Sequence, residues 1–292
     1  MDEIISNRRK KPKVISEGGN AFENVGTIHI SEIQPTLMWL AHKTGISEIT
    51  SAGLGSVGKK EYSGDIDTAI TPKSPEELKA MIETLGNLLG AENVRKVGSI
   101  ITTKVPIKGY DESKDGRQPR TGFVQVDFMF GDVDWLKTYY HSPAENESKF
   151  KGAHRNRALA AVAMSVDRME SAELDGLERP LSTVRWKWGG NGLLKVNRKS
   201  VKSKQGTWNK MQNDEILDGP ITNKNEIAHI LFGEDGTPDM MNSFESVIEA
   251  VQLSFPPEVQ NQIFSDLAKA VQNIHGWEDW DYPEPLEKFL DK

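Results

Sequence analysis

Two aspartates separated by one residue are the side chains of this sequence most directly suited to chemistry. Asp65 and Asp67 lie on either side of Ile66, and alternate residues of a strand project to the same face of a sheet. Two neighbouring carboxylates repel each other, and a cation between them removes that repulsion. Magnesium suits this position because it takes oxygen ligands and binds one or two carboxylates together with substrate phosphates.

A third carboxylate, Asp127, interrupts an otherwise apolar stretch at residues 123–130. The period of two places Val124, Val126 and Phe128 on one face, and Asp127 on the other face with Gln125 and Met129. A carboxylate among apolar side chains costs several kcal/mol unless it is paired or bound to a ligand. If this strand lies beside the strand that contains Ile66, all three acids converge.

A glycine-rich loop precedes the pair of aspartates. Gly55 and Ser56 allow backbone N–H groups and a hydroxyl to approach phosphate closely, and Lys59 and Lys60 can neutralise a triphosphate. A Gly-Ser loop by itself is usually a turn, and an Asp-x-Asp pair by itself is usually a solvated strand end. The combination of loop, acid pair and third acid favours a functional site.

The hydrophobic periodicity predicts a mixed α+β fold, in which short strands alternate with helices before a hairpin and a helical tail. Ser74, Pro75 and Glu77 are typical of a helix start, and Gly90 of its end. Helices are predicted at 35–44, 75–89, 149–168, 225–232, 240–253 and 257–274, and strands at 46–52, 66–70, 93–97, 100–107, 123–130, 183–188 and 193–197.

Composition divides the chain into three parts. Residues 1–20 contain a basic cluster and are predicted to be a disordered tail; residues 21–175 are predicted to form one domain and residues 176–292 another, with the boundary near 170–182. The net charge is −7, and no apolar run is long enough to cross a membrane. The absence of cysteine excludes disulfides and thiolate metal sites, and a cytoplasmic location is expected.

Three short motifs resemble the signature of the DNA polymerase beta-type nucleotidyltransferase superfamily: Gly55-Ser56, Ser63-Gly64-Asp65-Ile66-Asp67 and Val126-Asp127-Phe128. The gap of eight residues between Ser56 and Asp65 is slightly shorter than is usual in that family. The resemblance implies a small palm domain, in which helices flank a mixed sheet. It also implies two Mg²⁺ ions, which Mn²⁺ can replace.

The resemblance also implies roles for single residues. Asp65 and Asp67 would bind both ions, and Asp127 only the ion on the attacking hydroxyl. Ser56 and Lys59 would hold the β- and γ-phosphates of a nucleoside triphosphate, with ATP binding expected. Phe150 and Arg155 keep the spacing of a palm helix that lies near the nascent base pair in repair polymerases, although the turn before that helix differs here.

A basic segment extends from Arg179 to Asn213, with nine Lys or Arg residues and no Asp or Glu. Trp186, Trp188 and Trp208 lie among these cations, an arrangement that suits a platform for RNA or DNA. The same alternation suits a hairpin whose tryptophans are core and whose lysines are solvated. The candidate nucleic-acid-binding residues are Arg185, Lys187, Lys195, Arg198, Lys199 and Lys202.

Three functions remain open at this point. The first is template-independent transfer of a nucleoside monophosphate to a polynucleotide end, and the second is transfer to a small molecule or a protein. The third is an inactive relative that serves as a binding protein. His141 and His154 are expected to be surface histidines rather than ligands, and the aromatic residues from Trp277 to Tyr282 are expected to serve packing or a partner contact.

Overall fold

The structure is a computed structural model with an α+β architecture. It describes residues 21–51, 53–55, 57–59, 61–71, 74–97, 100–114, 120–144, 146–171, 182–202, 208–209, 214–274 and 276–290, with backbone alone at 97, 201–202 and 208–209. The predicted disordered tail at residues 1–20 lies outside these ranges.

The N-terminal sheet has four strands: β3 (Asp65–Ile70), β4 (Val94–Val97), β5 (Ile100–Pro106) and β6 (Phe123–Phe130). Their order is β3-β6-β5-β4, with β3 parallel to β6 and the other pairs antiparallel, so the sheet is mixed as predicted. Two further short strands, β1 (Ile28–His29) and β2 (Tyr62–Ser63), pair with each other. Strand β2 directly precedes β3 in the chain.

Two helices cover one face of this sheet. Helix α2 (Pro75–Leu89) begins at Ser74, whose hydroxyl accepts the Glu77 N–H at 3.2 Å, and it has the predicted bounds. Helix α1 (Ile30–Thr44) ends at Gly45 as predicted, with φ +74°, but begins five residues earlier than expected. The predicted start at Pro35 is wrong because the helix begins with a capping box formed by His29 and Glu32.

The strand predicted at residues 46–52 is wrong. Ser47–Thr50 is a 3-10 helix, in which the Thr50 hydroxyl donates to the Ser47 carbonyl oxygen at 3.0 Å. Short polar side chains compete in this way for backbone groups that a strand would need. Gly53, which follows this helix, forms a bridge with Thr68 of the sheet.

The rest of the chain contains a second sheet and a group of helices. Helices α3 (Val133–Tyr139) and α4 (Gly152–Ser165) lead to the C-terminal sheet, which has the order β12-β9-β8-β7. The bounds of its strands, and of the small β10–β11 ladder, are Met169–Glu170 for β7, Ser182–Gly189 for β8, Gly192–Lys199 for β9, Val201–Lys202 for β10, Trp208–Asn209 for β11 and Glu215–Ile221 for β12. The later helices are α5 (Lys224–Phe232), α6 (Phe244–Ser254), α7 (Pro257–Val271) and α8 (Glu284–Glu287).

The β8–β9 pair confirms the predicted hairpin, and α5, α6 and α7 confirm the predicted helical tail with small differences at the ends. The strand β12 and the helix α3 were not predicted. In the part of the chain that the structure describes, no helix is long and apolar enough to span a bilayer.

The hydrophobic residues that the structure describes form two large cores. One joins α1 and α2 to the N-terminal sheet through residues such as Leu40, Leu85 and Phe128. The other joins α4, the β8–β9 hairpin and the later helices, and it includes Trp186 and Trp188. These two tryptophans therefore belong to the core, as one of the two interpretations of the basic segment expected. Helix α4 packs in the C-terminal core, although it precedes the domain boundary predicted near 170–182. That boundary stays a prediction.

Candidate metal centre

Asp65, Asp67 and Asp127 meet on the face of the N-terminal sheet that α1 and α2 leave uncovered. Because β3 and β6 are adjacent and parallel, Asp67 lies opposite Asp127, and Asp65 lies opposite Gln125. One carboxylate oxygen from each aspartate lies within 4.8 Å of the others, and all three residues are half-buried. The predicted convergence of the three carboxylates is confirmed.

The electrostatics of this cluster favour a cation. Burial raises the pKa of the Asp67 carboxyl well above its ordinary value, and the charges of Asp65 and Asp127 raise it further. Burial also raises the pKa of Asp127, although hydrogen bonds from Thr102 and Gln125 oppose this rise. A divalent cation among the three acids would relieve their repulsion, and a donor set of carboxylate oxygens fits Mg²⁺ or Mn²⁺.

Two polar side chains hold the Asp127 carboxylate from the neighbouring sheet positions. The Gln125 amide nitrogen donates to both carboxylate oxygens of Asp127 at 3.1 Å. Thr102, directly opposite Asp127 on β5, donates a second hydrogen bond. Asp127 is therefore held in one orientation by groups that favour its anionic form.

The glycine-rich loop lies directly beside the acids. The Leu54 N–H donates to the Asp67 carbonyl oxygen at 2.9 Å, which ties the loop to β3. Gly55 has φ +62°, and a Cβ at this residue would lie 3.6 Å from the Asp67 carboxylate. Glycine is thus favoured by the left-handed backbone rather than by a lack of space. Ser56 and Lys60, the other predicted phosphate ligands of the loop, lie outside the described residues.

The segment from Tyr139 to Ser142 borders the loop on its other side. The Lys59 ammonium donates to the Ser142 carbonyl oxygen, so this predicted phosphate ligand is tethered at the rim of the site. The Tyr140 ring packs against a small cluster that includes Leu54 and Met129. Burial raises the pKa of Tyr140 to about 12, and the charges of Tyr139, Asp67 and Asp127 contribute to this rise.

Arg155 is buried, with 2% of its surface exposed. Its guanidinium donates to the carbonyl oxygens of Met241, Thr138 and Tyr139, at 3.1 Å for Thr138. These contacts join α4 to the end of α3, and they support the segment that borders the loop. The contact of Arg155 with a nucleotide stays a prediction, and its hydrogen bonds indicate a positioning role.

His154 is fully buried, so the expectation that it is a surface histidine is wrong. It packs among the rings of Phe150, Phe244, Trp280 and Tyr282, and its Nε2 lies 3.2 Å from the Tyr282 hydroxyl. Helix α4 buries it because this helix packs against both α6 and α7. The C-terminal aromatic residues thus serve packing, one of the two expected roles.

Four of the candidate cations whose side chains the structure describes are paired with acids from outside the basic segment. Asp214 precedes β12, which pairs with β9, and this pairing brings it to 2.9 Å from both Lys187 and Arg198. The basic segment contains no acidic residue, but acids from elsewhere in the chain lie beside its cations in the folded structure. Of the other candidates, Lys199 lies 2.5 Å from Glu215 and Lys195 lies 3.8 Å from Asp167. Burial lowers the pKa of the half-buried Arg185. The side chain of Lys202 lies outside the described residues.

Three residues of this site were not predicted from the sequence: Thr102, Gln125 and Tyr140. Gln125 could have been identified, because the period of two that placed Asp127 on the open face also places residue 125 there. Thr102 and Tyr140 are brought to the acids by strand pairing and by a helix end, and no local pattern of residues marks either position.

The chain matches no family model and no curated protein. Among solved structures it is similar to the polymerase beta of Leishmania infantum in a ternary P/T complex, with 12% sequence identity and a TM-score of 0.35. That similarity covers 73% of this chain and 75% of the polymerase chain. A similarity this distant decides nothing about function.

Proposed function

We propose that this protein is a metal-dependent nucleotidyltransferase, which transfers a nucleoside monophosphate from a nucleoside triphosphate to a hydroxyl and releases pyrophosphate. The observation that carries the proposal is the cluster of Asp65, Asp67 and Asp127, whose carboxylate oxygens lie within 4.8 Å of one another. The adjoining loop at Gly55 and the tethered Lys59 add a position for phosphates beside the cluster.

The reaction is an in-line attack of the acceptor hydroxyl on the α-phosphate. When bound, two Mg²⁺ ions lower the pKa of the attacking hydroxyl and neutralise the charge of the triphosphate. Asp65 and Asp67 would bind both ions, and Asp127 the ion at the hydroxyl. Gln125 and Thr102 orient the Asp127 carboxylate for that task, and their hydrogen bonds oppose the rise in its pKa that burial causes.

Lys59 and the backbone of the glycine-rich loop would hold the β- and γ-phosphates, together with Ser56 and Lys60. An ammonium and backbone N–H groups fixed before the substrate arrives stabilise the charge of the leaving group without further reorganisation. Tyr140 packs against the small hydrophobic cluster that includes Leu54 and Met129, and it would exclude water from one side of the reacting phosphate.

The acceptor class has two candidates. A polynucleotide end is the first, because the hairpin contributes several cations within a short part of the chain. A small molecule or a protein is the second, and the ion pairs of Lys187 and Arg198 with Asp214 favour it because they reduce the positive charge offered to phosphates.

The test is a comparison of two charge-neutralising variants, Asp67→Asn and Asp134→Asn. Asp134 is exposed on α3 and serves as the matched control. We expect Asp67→Asn to abolish transfer from labelled triphosphates and to lose Mn²⁺ binding by at least ten-fold, whereas Asp134→Asn keeps both.

The melting temperature of the metal-free protein gives a second measurement on the Asp67→Asn variant. Because the folded state raises the pKa of Asp67, the ionised carboxyl opposes folding at neutral pH, and this cost grows as the pH rises above the unfolded value. We therefore expect metal-free Asp67→Asn to melt at the same temperature as wild type or higher. Transfer activity close to wild type in this variant would exclude the proposed mechanism.

A further inference from the structure

The stretch from Ala21 to Asn24 crosses the same sheet face as the three aspartates. The Ala21 N–H donates to the Gln125 side-chain oxygen at 2.9 Å, and the Arg95 guanidinium donates to the Ala21 carbonyl oxygen. The Arg95 guanidinium also lies 4.6 Å from the centroid of the Phe22 ring, and the Lys104 ammonium donates to the Glu23 carbonyl oxygen at 2.8 Å. We call residues 21–24 the N-terminal strap.

Strand register explains why the strap comes to the acids. Arg95 lies opposite Thr102, and Thr102 lies opposite Asp127, while Lys104 lies opposite Gln125. Paired residues of an antiparallel ladder project to the same face. The cations that hold the strap and the carboxylates that would hold the metal therefore share one surface.

The side-chain amide of Gln125 is a directional link between the strap and Asp127. A backbone N–H can only donate, so the amide oxygen must face Ala21. The amide NH₂ is then turned towards Asp127, where it donates to both carboxylate oxygens at 3.1 Å. Gln125 is 5% exposed, so solvent offers it few alternative partners. Only one of the two amide orientations satisfies both neighbours.

We propose that the N-terminal strap sets the metal-binding position of Asp127 through Gln125. Gln125 is a positioning residue, and this inference rests on the proposed function of the acid cluster. Groups that orient a metal ligand commonly change metal affinity or activity by about 10- to 100-fold when they are removed. Loss of the Ala21 N–H alone would free the amide to rotate, and Asp127 would lose its fixed donor.

The first test is Ala21→Pro, which removes this N–H and leaves Gln125 and all three acids unchanged. Ala21→Ser keeps the N–H and is the matched control. We expect about a ten-fold weaker Mn²⁺ affinity for Ala21→Pro in an electron paramagnetic resonance titration, and no change for Ala21→Ser. Equal Mn²⁺ affinities for the two variants would overturn the inference.

A double-variant cycle tests whether both residues act along one path. Gln125→Leu removes the amide at similar volume, and we expect it to weaken Mn²⁺ binding by at least as much as Ala21→Pro. The double variant should be no weaker than Gln125→Leu, because the strap can no longer act once the amide is absent. Additive losses would show that the strap and Gln125 act independently, and would contradict the link.

Arg95→Met is a second way to loosen the strap, in case proline disturbs the local fold. The loss of a nearby positive charge would by itself tighten the binding of a cation. The strap mechanism requires the opposite result, a weaker Mn²⁺ affinity at an unchanged melting temperature. An affinity that rises or stays constant would count against the mechanism.

These measurements separate the inference from the proposed function. If wild-type protein binds Mn²⁺ and loses it in Asp67→Asn, the metal centre stands whatever the strap variants do. If wild type binds no Mn²⁺ at all, the proposed function fails and the strap inference fails with it. With metal binding established, single-turnover rates should fall in Ala21→Pro while the triphosphate dissociation constant stays near that of wild type.

Discussion

The three aspartates of the proposed metal centre differ in their surroundings. Burial and the charges of the other two acids raise the pKa of Asp67 well above its ordinary value, further than the pKa of Asp127 is raised. Asp127 has fixed donors from Thr102 and Gln125, which hold its orientation. In the proposed mechanism a cation would therefore relieve more repulsion at Asp67 than at Asp127, whereas Asp127 would offer it a carboxylate with a fixed orientation.

We expect Asp127→Asn to separate binding from chemistry. In a two-metal mechanism the triphosphate arrives with its own Mg²⁺, so its dissociation constant should stay near that of wild type. The single-turnover rate should fall by about 100-fold or more, because activation and positioning of the hydroxyl are both lost.

Both quantities can be measured on this one variant. Unchanged activity would mean that Asp127 is an ordinary strand residue, for which asparagine is an adequate replacement. A loss of triphosphate binding as large as the loss of rate would assign Asp127 to the other metal.

Among the elements, helix α1, one of the two helices that cover the N-terminal sheet, is joined to the residues before β6 by a buried ion pair between Glu32 and Arg120. Glu32 on α1 is 1% exposed, and its carboxylate lies 2.5 Å from the Arg120 guanidinium, which is 6% exposed. The same carboxylate accepts the Asp111 N–H at 3.0 Å. Burial alone would raise the pKa of Glu32, but these hydrogen bonds together hold it below its ordinary value.

We expect Glu32→Gln to destabilise the protein by about 3 kcal/mol, because it leaves the Arg120 guanidinium buried without a counter-charge. Glu83→Gln, on the exposed face of α2, is the control and should change stability by less than about 0.5 kcal/mol. Urea denaturation at pH 7 measures both.

The pH dependence gives this prediction a second check. A carboxyl with a lowered pKa stabilises the fold above its unfolded pKa, and the contribution disappears as the pH falls. The difference between wild type and Glu32→Gln should therefore shrink on acidification below about pH 4.5. A difference that stays constant with pH would contradict the ionic role of Glu32.

Substitutions in the β8–β9 hairpin and the adjoining basic residues can test which of the two proposed acceptor classes the protein uses. If a polynucleotide binds here, replacing Lys195, Arg198, Lys199 and Lys202 with alanine should weaken binding. Each lost phosphate contact should also reduce the slope of log K against log salt by about 0.7 to 0.9.

A variant with the same change in net charge serves as the control. It carries alanine at four exposed lysines elsewhere: Lys43, Lys79, Lys137 and Lys288. Filter binding with single-stranded RNA and DNA over a range of salt concentrations gives the slopes. We expect the control to keep the wild-type slope; equal slopes for both variants would favour a small-molecule or protein acceptor.

At the scale of the whole molecule, the C-terminal core supports the N-terminal site. Arg155 on α4 holds the carbonyl groups at the end of α3, and the segment that follows α3 borders the glycine-rich loop. Trp135 on α3 donates to the Gly189 carbonyl oxygen at 3.0 Å and packs edge-on against Trp188. The C-terminal core thus continues up to the rim of the proposed active site.

We expect this core to be sensitive to acid through His154. Burial lowers the pKa of His154 to about 4, with Lys151 contributing, whereas an unfolded histidine titrates near 6.5. Between these values the unfolded chain binds the extra proton, so stability falls as the pH decreases from about 6.5 towards 4. One proton corresponds to about 1.4 kcal/mol per pH unit.

The comparison of His154→Leu with Phe150→Leu checks this expectation. Both variants alter the same aromatic cluster, but only the first removes a titratable group. Urea denaturation at pH 7 and pH 5 should show a reduced pH dependence in His154→Leu and an unchanged one in Phe150→Leu. The same pH dependence in both would mean that His154 is not responsible for the acid sensitivity.

Local signals in the sequence were sufficient for several features. The helix α2 has its start and end encoded in Ser74, Pro75 and Gly90, which act on the backbone of their immediate neighbours. The alternation around Asp127 indicated which of its neighbours share its face, because the period of a strand is a local property. The mixed α+β class followed from such signals, whereas the convergence of the three acids also required β3 to pair with β6.

Tertiary structure alone decided the features that depend on partners distant in the chain. Asp214 neutralises Lys187 and Arg198 only because β12 pairs with β9. The burial of His154 requires α6, α7 and the C-terminal aromatic residues to pack around α4. The link from Ala21 to Asp127 spans more than a hundred residues of sequence. Spacing along the chain carries no information about such contacts, since they exist only after the sheets and cores have formed.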